Sequence, residues 1–199
     1  MTINVYRNKL LNAILFFAKN TRHCNKTKLL KLIYHLDFIH FKQTGFPSIG
    51  LTYYTYKEGP VPIRFWKEVQ HGEVPLDFRG KFDILITHNP KLNEEEYIFT
   101  SLVEPDLSFF SPRELRILEA LAKTYKDKSA KQISEETHLP NQPWDTTLKT
   151  KGRNKQIDYM LSLDKHSSIS WETAANNLSE FYAVVKNLKL NPTKAAETV

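Results

Sequence analysis

Leu10, Leu11, Ile14, Leu15 and Ala18 recur three and four residues apart and predict a helix over 3–19. The polar run 20–25 (Asn-Thr-Arg-His-Cys-Asn) ends it. A second helix is predicted over 26–44, with Gly45 just past its C-terminus. Its apolar residues Leu29, Leu30, Leu32, Ile33, Tyr34, Leu36, Phe38, Ile39 and Phe41 cover well over half of the circumference. Lys28, Lys31, His35 and Lys42 fill the narrow remaining strip. A helix apolar on most of its surface is central, with neighbours on several sides.

The segment 51–57 (LTYYTYK) is rich in Tyr and Thr and reads as a short strand or extended stretch. Gly59-Pro60-Val61-Pro62 reads as a turn, and 63–70 as a short helix with a proline near its first turn and Gly72 past its end. In 81–87 Phe82, Ile84 and Ile86 alternate with Asp83, Leu85 and Thr87, and 97–102 is a second β-prone run. A polar loop, 89–95, separates them, so 81–102 should be a two-stranded antiparallel hairpin lying against helices. Ser111-Pro112-Arg113-Glu114 is a helix start with a capping box, followed by the stripe Leu115, Leu118, Leu121, Ala122, Tyr125. Ser129-Ala130-Lys131-Gln132 opens another helix, to about Thr137, before the proline-framed loop 139–144. Ser170 should cap the last helix, whose stripe is Trp171, Ala174, Ala175, Leu178, Phe181, Tyr182, Val185 and Leu188. The tail 191–199 has no pattern and is expected to be flexible. The fold class is therefore α+β, mainly α-helical. It is a compact helical domain around a central buried helix (about 26–44) with a small β-hairpin (about 81–102), and 1–190 form one domain.

Composition narrows this little. At ~150 residues per domain, 199 residues make one domain, or one with a small appendage. A hydrophobic fraction of 41% with 25% charged residues excludes wholesale disorder. Cys24 is the single cysteine, which rules out an intramolecular disulfide and a zinc site built on two thiolates. Lys and Arg outnumber Asp and Glu, 28 to 22, and the net charge of +6 favours acidic surfaces, nucleic acid included. No stretch reaches the ~20 apolar residues of a membrane span. Residues 10–18, behind Arg7 and Lys9, imitate a short signal peptide, but Asn12 interrupts them, Lys19 closes them and no cleavage site follows. The default compartment is the cytoplasm.

Catalytic patterns are few. The sequence has no GxxxxGK[ST], GxGxxG, HExxH or GxSxG. Its seven histidines are scattered, and His35 and His40 fall on different faces of one helix. Arg22, His23 and Lys26 near Cys24 would lower a thiol pKa, but a nucleophile needs an oriented base, so a thiol at a helix junction is preferred. Asp37 and His40 fall inside the apolar arc of the second helix and, spaced i, i+3, share a face. Either Asp37 accepts hydrogen bonds from backbone N–H groups of a nearby loop, or the two form an acid/base pair. The first is preferred, since no nucleophile or metal-ligand set accompanies them. Residues 129–149 imitate a helix-turn-helix, with Lys149, Lys151, Arg153 and Lys155 adding charge. Pro143-Trp144-Asp145 stands where a base-reading helix wants basic side chains, so a helical hairpin locked by Pro and Trp is preferred. No catalytic residue, metal or cofactor is expected.

Three stretches together resemble the Panacea domain, also called the SocA-like or phage-associated GepA-like domain. Residues 28–37 (KLLKLIYHLD), with His40 and Thr44-Gly45, resemble its KLLKLLYFAD…H…TG helix, and Asp37 and His40 fall on its Asp and His. Residues 56–62 (YKEGPVP) resemble its WKYGPV turn. Phe110-Ser111, Leu115, Ile117, Leu118, Ser129-Ala130, Leu139-Pro140 and Pro143-Trp144 resemble its later helices and closing Pro-Trp. The likeness spans roughly 10–150. Tyr56 stands where Trp is usual and Glu58 where an aromatic or His is usual, and the stretch from His138 to Pro143-Trp144 is one residue longer than in the family.

The resemblance implies a cytoplasmic antitoxin of a bacterium or prophage, part of a toxin–antitoxin system, that neutralises a cognate protein toxin by direct binding. One branch of the family instead delivers its toxin to a AAA+ protease. Asp37, His40, Gly59, Pro60 and Trp144 would then be structural motif positions. Neutralisation needs a standard interface of ~800 Å² per partner with Tyr, Trp or Arg anchors. Tyr53, Tyr54, Tyr56, Lys57, Arg64 and Trp66, with Phe65 among them, are the candidate partner-binding patch. The competing reading puts Tyr54, Tyr56, Phe65 and Trp66 in the core. Besides the toxin, the partners considered are DNA, through 129–155, and a AAA+ protease, through the tail 191–199. No membrane partner is expected.

Overall fold

The computed structural model describes residues 4–89, 93–190 and 192. Helix α1 (Val5–Asn20) starts at Asn4, whose side chain accepts from the Arg7 N–H. Helix α2 (Lys26–Thr44) is capped by the Asn25 side chain and ends at Gly45, whose N–H donates to the Phe41 carbonyl. A minute hairpin follows, β1 (Tyr54–Tyr56) and β2 (Gly59–Val61), then α3 (Ile63–Glu68). A longer hairpin, β3 (Phe82–Asn89) and β4 (Glu94–Ser101), precedes α4 (Pro112–Tyr125), α5 (Ala130–Thr137), α6 (Pro143–Lys151) and α7 (Trp171–Asn187). Both hairpins are antiparallel and separate from one another. The architecture is α+β and mainly helical, as the periodicities imply.

Helix α2 is the axis. Helices α1, α4, α5 and α7, both hairpins and the turn at 159–162 pack around it. The buried apolar side chains form one continuous cluster that contains Leu29, Leu30, Leu32, Ile33, Tyr34, Leu36, Phe38 and Phe41. Encirclement closes even over the polar strip: Lys28 and Lys31 are only 1% exposed. Each ammonium is sealed under a neighbour and meets carbonyls instead of water. Lys28 Nζ donates to the Arg22 carbonyl (2.8 Å), and Lys31 Nζ to the Pro60 carbonyl (3.0 Å). Lys42, nearer the helix end, stays on the surface and pairs with Asp164 (2.7 Å).

Gly59-Pro60-Val61 is a strand, not a turn. It pairs with β1 in the register Tyr54↔Val61, Thr55↔Pro60, Tyr56↔Gly59, and the chain reverses at Lys57 and Glu58. Pro60 is tolerated because the ribbon has only two strands, so an outward-facing N–H is not needed. The 81–102 hairpin forms as expected, from Phe82↔Ser101 to Asn89↔Glu94. Of the predicted inner face only Phe82 is fully buried, while Ile86 is 47% exposed. The ribbon touches the body through β4, where the Phe99 N–H donates to the Cys24 carbonyl (2.9 Å), and its far end extends beyond the core.

The caps read from sequence form as expected. Ser111 with Glu114 and Ser129 with Gln132 make reciprocal capping boxes, and Ser170 accepts from the Thr173 N–H. Helix α7 departs from its stripe. Only Ala174 and Phe181 are buried, whereas Trp171 (57% exposed), Tyr182 and Leu188 face outward. It rests on one side of the molecule, by the C-terminal end of α2. There Gly50 (φ +82°) lets the Phe181 ring lie where a Cβ would be 2.2 Å from Cζ. The expected flexible tail, 191–199, lies outside the described residues apart from Pro192, whose carbonyl accepts from Arg7 (3.0 Å).

Candidate functional site

Asp37 lies on α2 with no exposed surface. The chain leaving α2 turns at Gly45 and runs back alongside it. Three successive N–H groups of that return point at the carboxylate: Ile49 (2.6 Å), Gly50 (3.1 Å) and Leu51 (3.2 Å). The Tyr53 hydroxyl donates to Oδ2 (2.8 Å), and the single Tyr159 hydroxyl proton is shared between the Leu51 carbonyl (2.6 Å) and Oδ2 (3.1 Å). Burial pushes the Asp37 pKa up, and the donors from Ile49, Gly50, Tyr53 and Leu51 pull it back. The backbone partners can only donate, so the geometry fits the carboxylate. His40 does not join it. Its Nδ1 meets the Phe46 carbonyl (2.8 Å), so it fixes the start of the same return. Asp37, which is fully buried, and His40 thus clasp the same return of the chain from two points.

A second set of contacts holds the small hairpin. Lys31 Nζ binds the Pro60 carbonyl, and Gly59 (φ +102°) leaves no room for a Cβ, which would sit 2.9 Å from both Lys31 Nζ and Thr137 Oγ1. The Trp144 Nε1–H donates to the Tyr56 carbonyl (3.1 Å), and His138 stacks on the Trp144 ring at 4.1 Å. Thr55 exchanges hydrogen bonds with the Gly152–Lys155 loop, its N–H and hydroxyl both reaching that backbone. Burial pushes Lys31 down to about 7 and His35 down to about 4. His35 and His138 each keep a sealed Nε2 with no hydrogen-bond partner. Burial lowers the His138 pKa as well, so desolvation disfavours the charged form of all three groups beside the small hairpin.

The predicted partner-binding residues divide. Tyr53 is 1% exposed and is a correction: its ring is core and its hydroxyl belongs to the Asp37 clasp. Phe65 is also core. Tyr54 and Trp66 are half-buried, and Trp66 faces the Lys26 ammonium (5.4 Å). Tyr56, Lys57 and Arg64 are exposed, the first two at the tip of the hairpin and the third on α3. Tyr56 and Lys57 thus sit exposed on an anchored hairpin whose tip also carries Glu58, 3.7 Å from the Lys57 ammonium.

The family model described as antitoxin SocA-like, Panacea domain, matches residues 29–145, more than half of the chain. The chain belongs to that family. No curated protein and no solved structure matches it. The matched segment begins on α2 and ends at Asp145, so it takes in the Asp37 clasp from 37 to 53, the Lys31–Pro60 bond and the Trp144–Tyr56 bond. Tyr159, which closes the clasp, lies beyond it.

Within this Panacea domain the helix-turn-helix reading loses its reading end. Pro143, Trp144, Asp145 and Thr147, the start of α6, are buried under the small hairpin. Asp145 accepts from the Asn141 N–H (3.0 Å) and Lys149 (2.8 Å). Cys24 is buried, and desolvation pushes its thiol up to about 11, opposite to the activation its basic neighbours suggested. Among the described residues no three His, Cys, Asp or Glu could hold a metal ion. No helix among them is long and apolar enough to cross a membrane. Two features escaped the sequence reading. Tyr159 stands 122 residues from Asp37 with no local signal. Glu114, recognised only as a cap, also gathers Lys9 (2.6 Å) and Ser48 (2.7 Å) from distant elements.

Proposed function

We propose that this Panacea-domain chain is the antitoxin of a toxin–antitoxin pair and neutralises its cognate protein toxin, in the cytoplasm, by direct binding. Family membership over 29–145 supports the antitoxin class. The observation that carries the mode of action is where the motif side chains go: Asp37, Lys31 and Trp144 are buried, and each is bonded to the chain's own backbone. They build a frame and leave contact with a partner to the surface. On that surface Tyr56 and Arg64, with the half-buried Tyr54 and Trp66, have the residue types that anchor interfaces, and Lys57 stands beside Tyr56. A net charge of +6 suits a toxin with an acidic face.

The test is expression of the product of the adjacent gene alone and with this chain. Growth arrest by the neighbour alone, relief by this chain, and copurification of the two are the expected results. A neighbour that is harmless alone, or a toxic one that this chain neither binds nor relieves, overturns the proposal.

A further inference from the structure

A cleft of about 400 Å³ lies between α2 and α4, away from the Asp37 clasp. Ile39, Ile117 and Leu121 give it an apolar floor, and the exposed Ala120 forms part of its rim. Arg113 and Arg116 stand along one side. Neither forms an ion pair among the described residues. Arg113 has a single polar contact, the Gln43 amide oxygen at 3.3 Å, and Arg116 has none. Glu114, between them in sequence, is turned inward and neutralised by Lys9. The far end of the cleft is Tyr125, whose hydroxyl bonds Glu136 of α5, and Thr137 of α5 lies against Gly59 of the small hairpin. Helix α5 therefore touches both the end of the cleft and the small hairpin.

We infer that this cleft receives an amphipathic, acidic helix of the protein partner, an inference that rests on the antitoxin reading. The shape is that of a groove between two helices, the site in which partner helices bury an apolar stripe. Helix α4 has 14 residues and is ~21 Å long, enough for about three to four turns of a partner helix. The floor accepts apolar side chains spaced one turn apart, and the two arginines favour carboxylates along the flank of that helix. A nucleic acid strand could pair its phosphates with the same arginines, but the apolar floor of Ile39, Ile117 and Leu121 favours a partner that buries an apolar stripe.

The experiment uses the full chain with the adjacent gene's product and measures affinity by calorimetry. Ala120→Trp fills the cleft from an exposed position, and Arg113→Glu with Arg116→Glu reverses its edge. Each is expected to weaken binding ~10-fold or more with an unchanged circular-dichroism spectrum. Lys123→Glu, on the same helix outside the cleft lining, is expected to stay within about twofold. Independently of any variant, amide exchange over 113–125 in the wild-type complex is expected to slow. If the wild-type pair does not bind, the antitoxin reading falls and the cleft inference with it. If the wild type binds while the cleft variants bind equally well and exchange slows only elsewhere, the cleft inference alone is overturned. If the variants leave toxin affinity intact but turn a dimer into a monomer in sedimentation, the occupant is a second copy and the inference is likewise overturned.

Discussion

Replacing Asp37 with Asn tests whether the clasp is structural. The amide keeps the volume of the carboxylate but supplies one acceptor oxygen where the structure uses two. With Oδ1 still facing Ile49 and Gly50, the new Nδ2 faces the Leu51 N–H, donor against donor. The two phenols can rotate and accept, so their loss is partial. One charge-assisted network weakened and one buried N–H left unpaired come to ~2–4 kcal/mol. In a chain of this length that lowers the melting midpoint by roughly 5–15 °C. Asp37→Ala strips the acceptor from all three backbone N–H groups at once, ~4–8 kcal/mol. That approaches the whole stability of a domain, so this variant should not be recovered folded. His40→Ala removes one carbonyl contact and should cost only about 1 kcal/mol. The assay is urea unfolding followed by far-ultraviolet circular dichroism, comparing midpoints at equal slope. An Asp37→Asn protein within ~0.5 kcal/mol of wild type would refute the clasp. Loss of toxin binding at full stability would point instead to a direct role for the carboxylate.

Two further outcomes follow from buried groups. Burial lowers Lys31 from 10.5 to about 7, so the folded chain releases this proton well before the unfolded chain does. Between those values the unfolded state binds more protons, and stability should rise with pH by up to ~4–5 kcal/mol. Urea midpoints at rising pH in wild type and Lys31→Met check this, since the variant should lack that part of the slope; parallel slopes would show that the amine is not desolvated. At Gly50, an alanine would place its Cβ inside the Phe181 ring at φ +82°. Gly50→Ala should release α7 at a cost of ~2–4 kcal/mol, seen as faster proteolysis within 171–187, and unchanged cleavage would contradict the packing.

The helices were legible because their signals are local. The apolar recurrence of α2, Gly45 at its end, and the caps Ser111, Ser129 and Ser170 each act within one turn. What failed depended on neighbours distant in sequence. A wheel places Lys28 and Lys31 on a polar strip but cannot show that the Arg22 and Pro60 carbonyls will close over it. Tyr53 looked like an interface aromatic among other tyrosines, and only the chain's return along α2 turns it inward to Asp37. The α7 stripe is genuine as a pattern, yet one flank of the helix meets Gly50 while Trp171 and Tyr182 find nothing to cover them. For the candidate site, the resemblance pointed to the residues of the frame, whereas the cleft between α2 and α4 arises from two helices 70 or more residues apart and has no motif.

Fold and recognition separate physically in this molecule. Asp37, Lys31 and Trp144 have their polar atoms bonded within the chain, so none is left to hold a partner unless the frame opens. Exchanging one of them strands a buried donor or acceptor, a loss of ~1–3 kcal/mol for each group. Tyr56, Lys57, Arg113 and Arg116 bear almost no internal load: they are exposed, and the two arginines have between them only the Gln43 contact. Changes there should stay within about ±0.5 kcal/mol in stability while acting fully on affinity. A frame built this way can hold its shape while its surface is refitted to a different toxin, provided the new surface keeps clear of the backbone carbonyls of Tyr56 and Pro60 that tie the hairpin down.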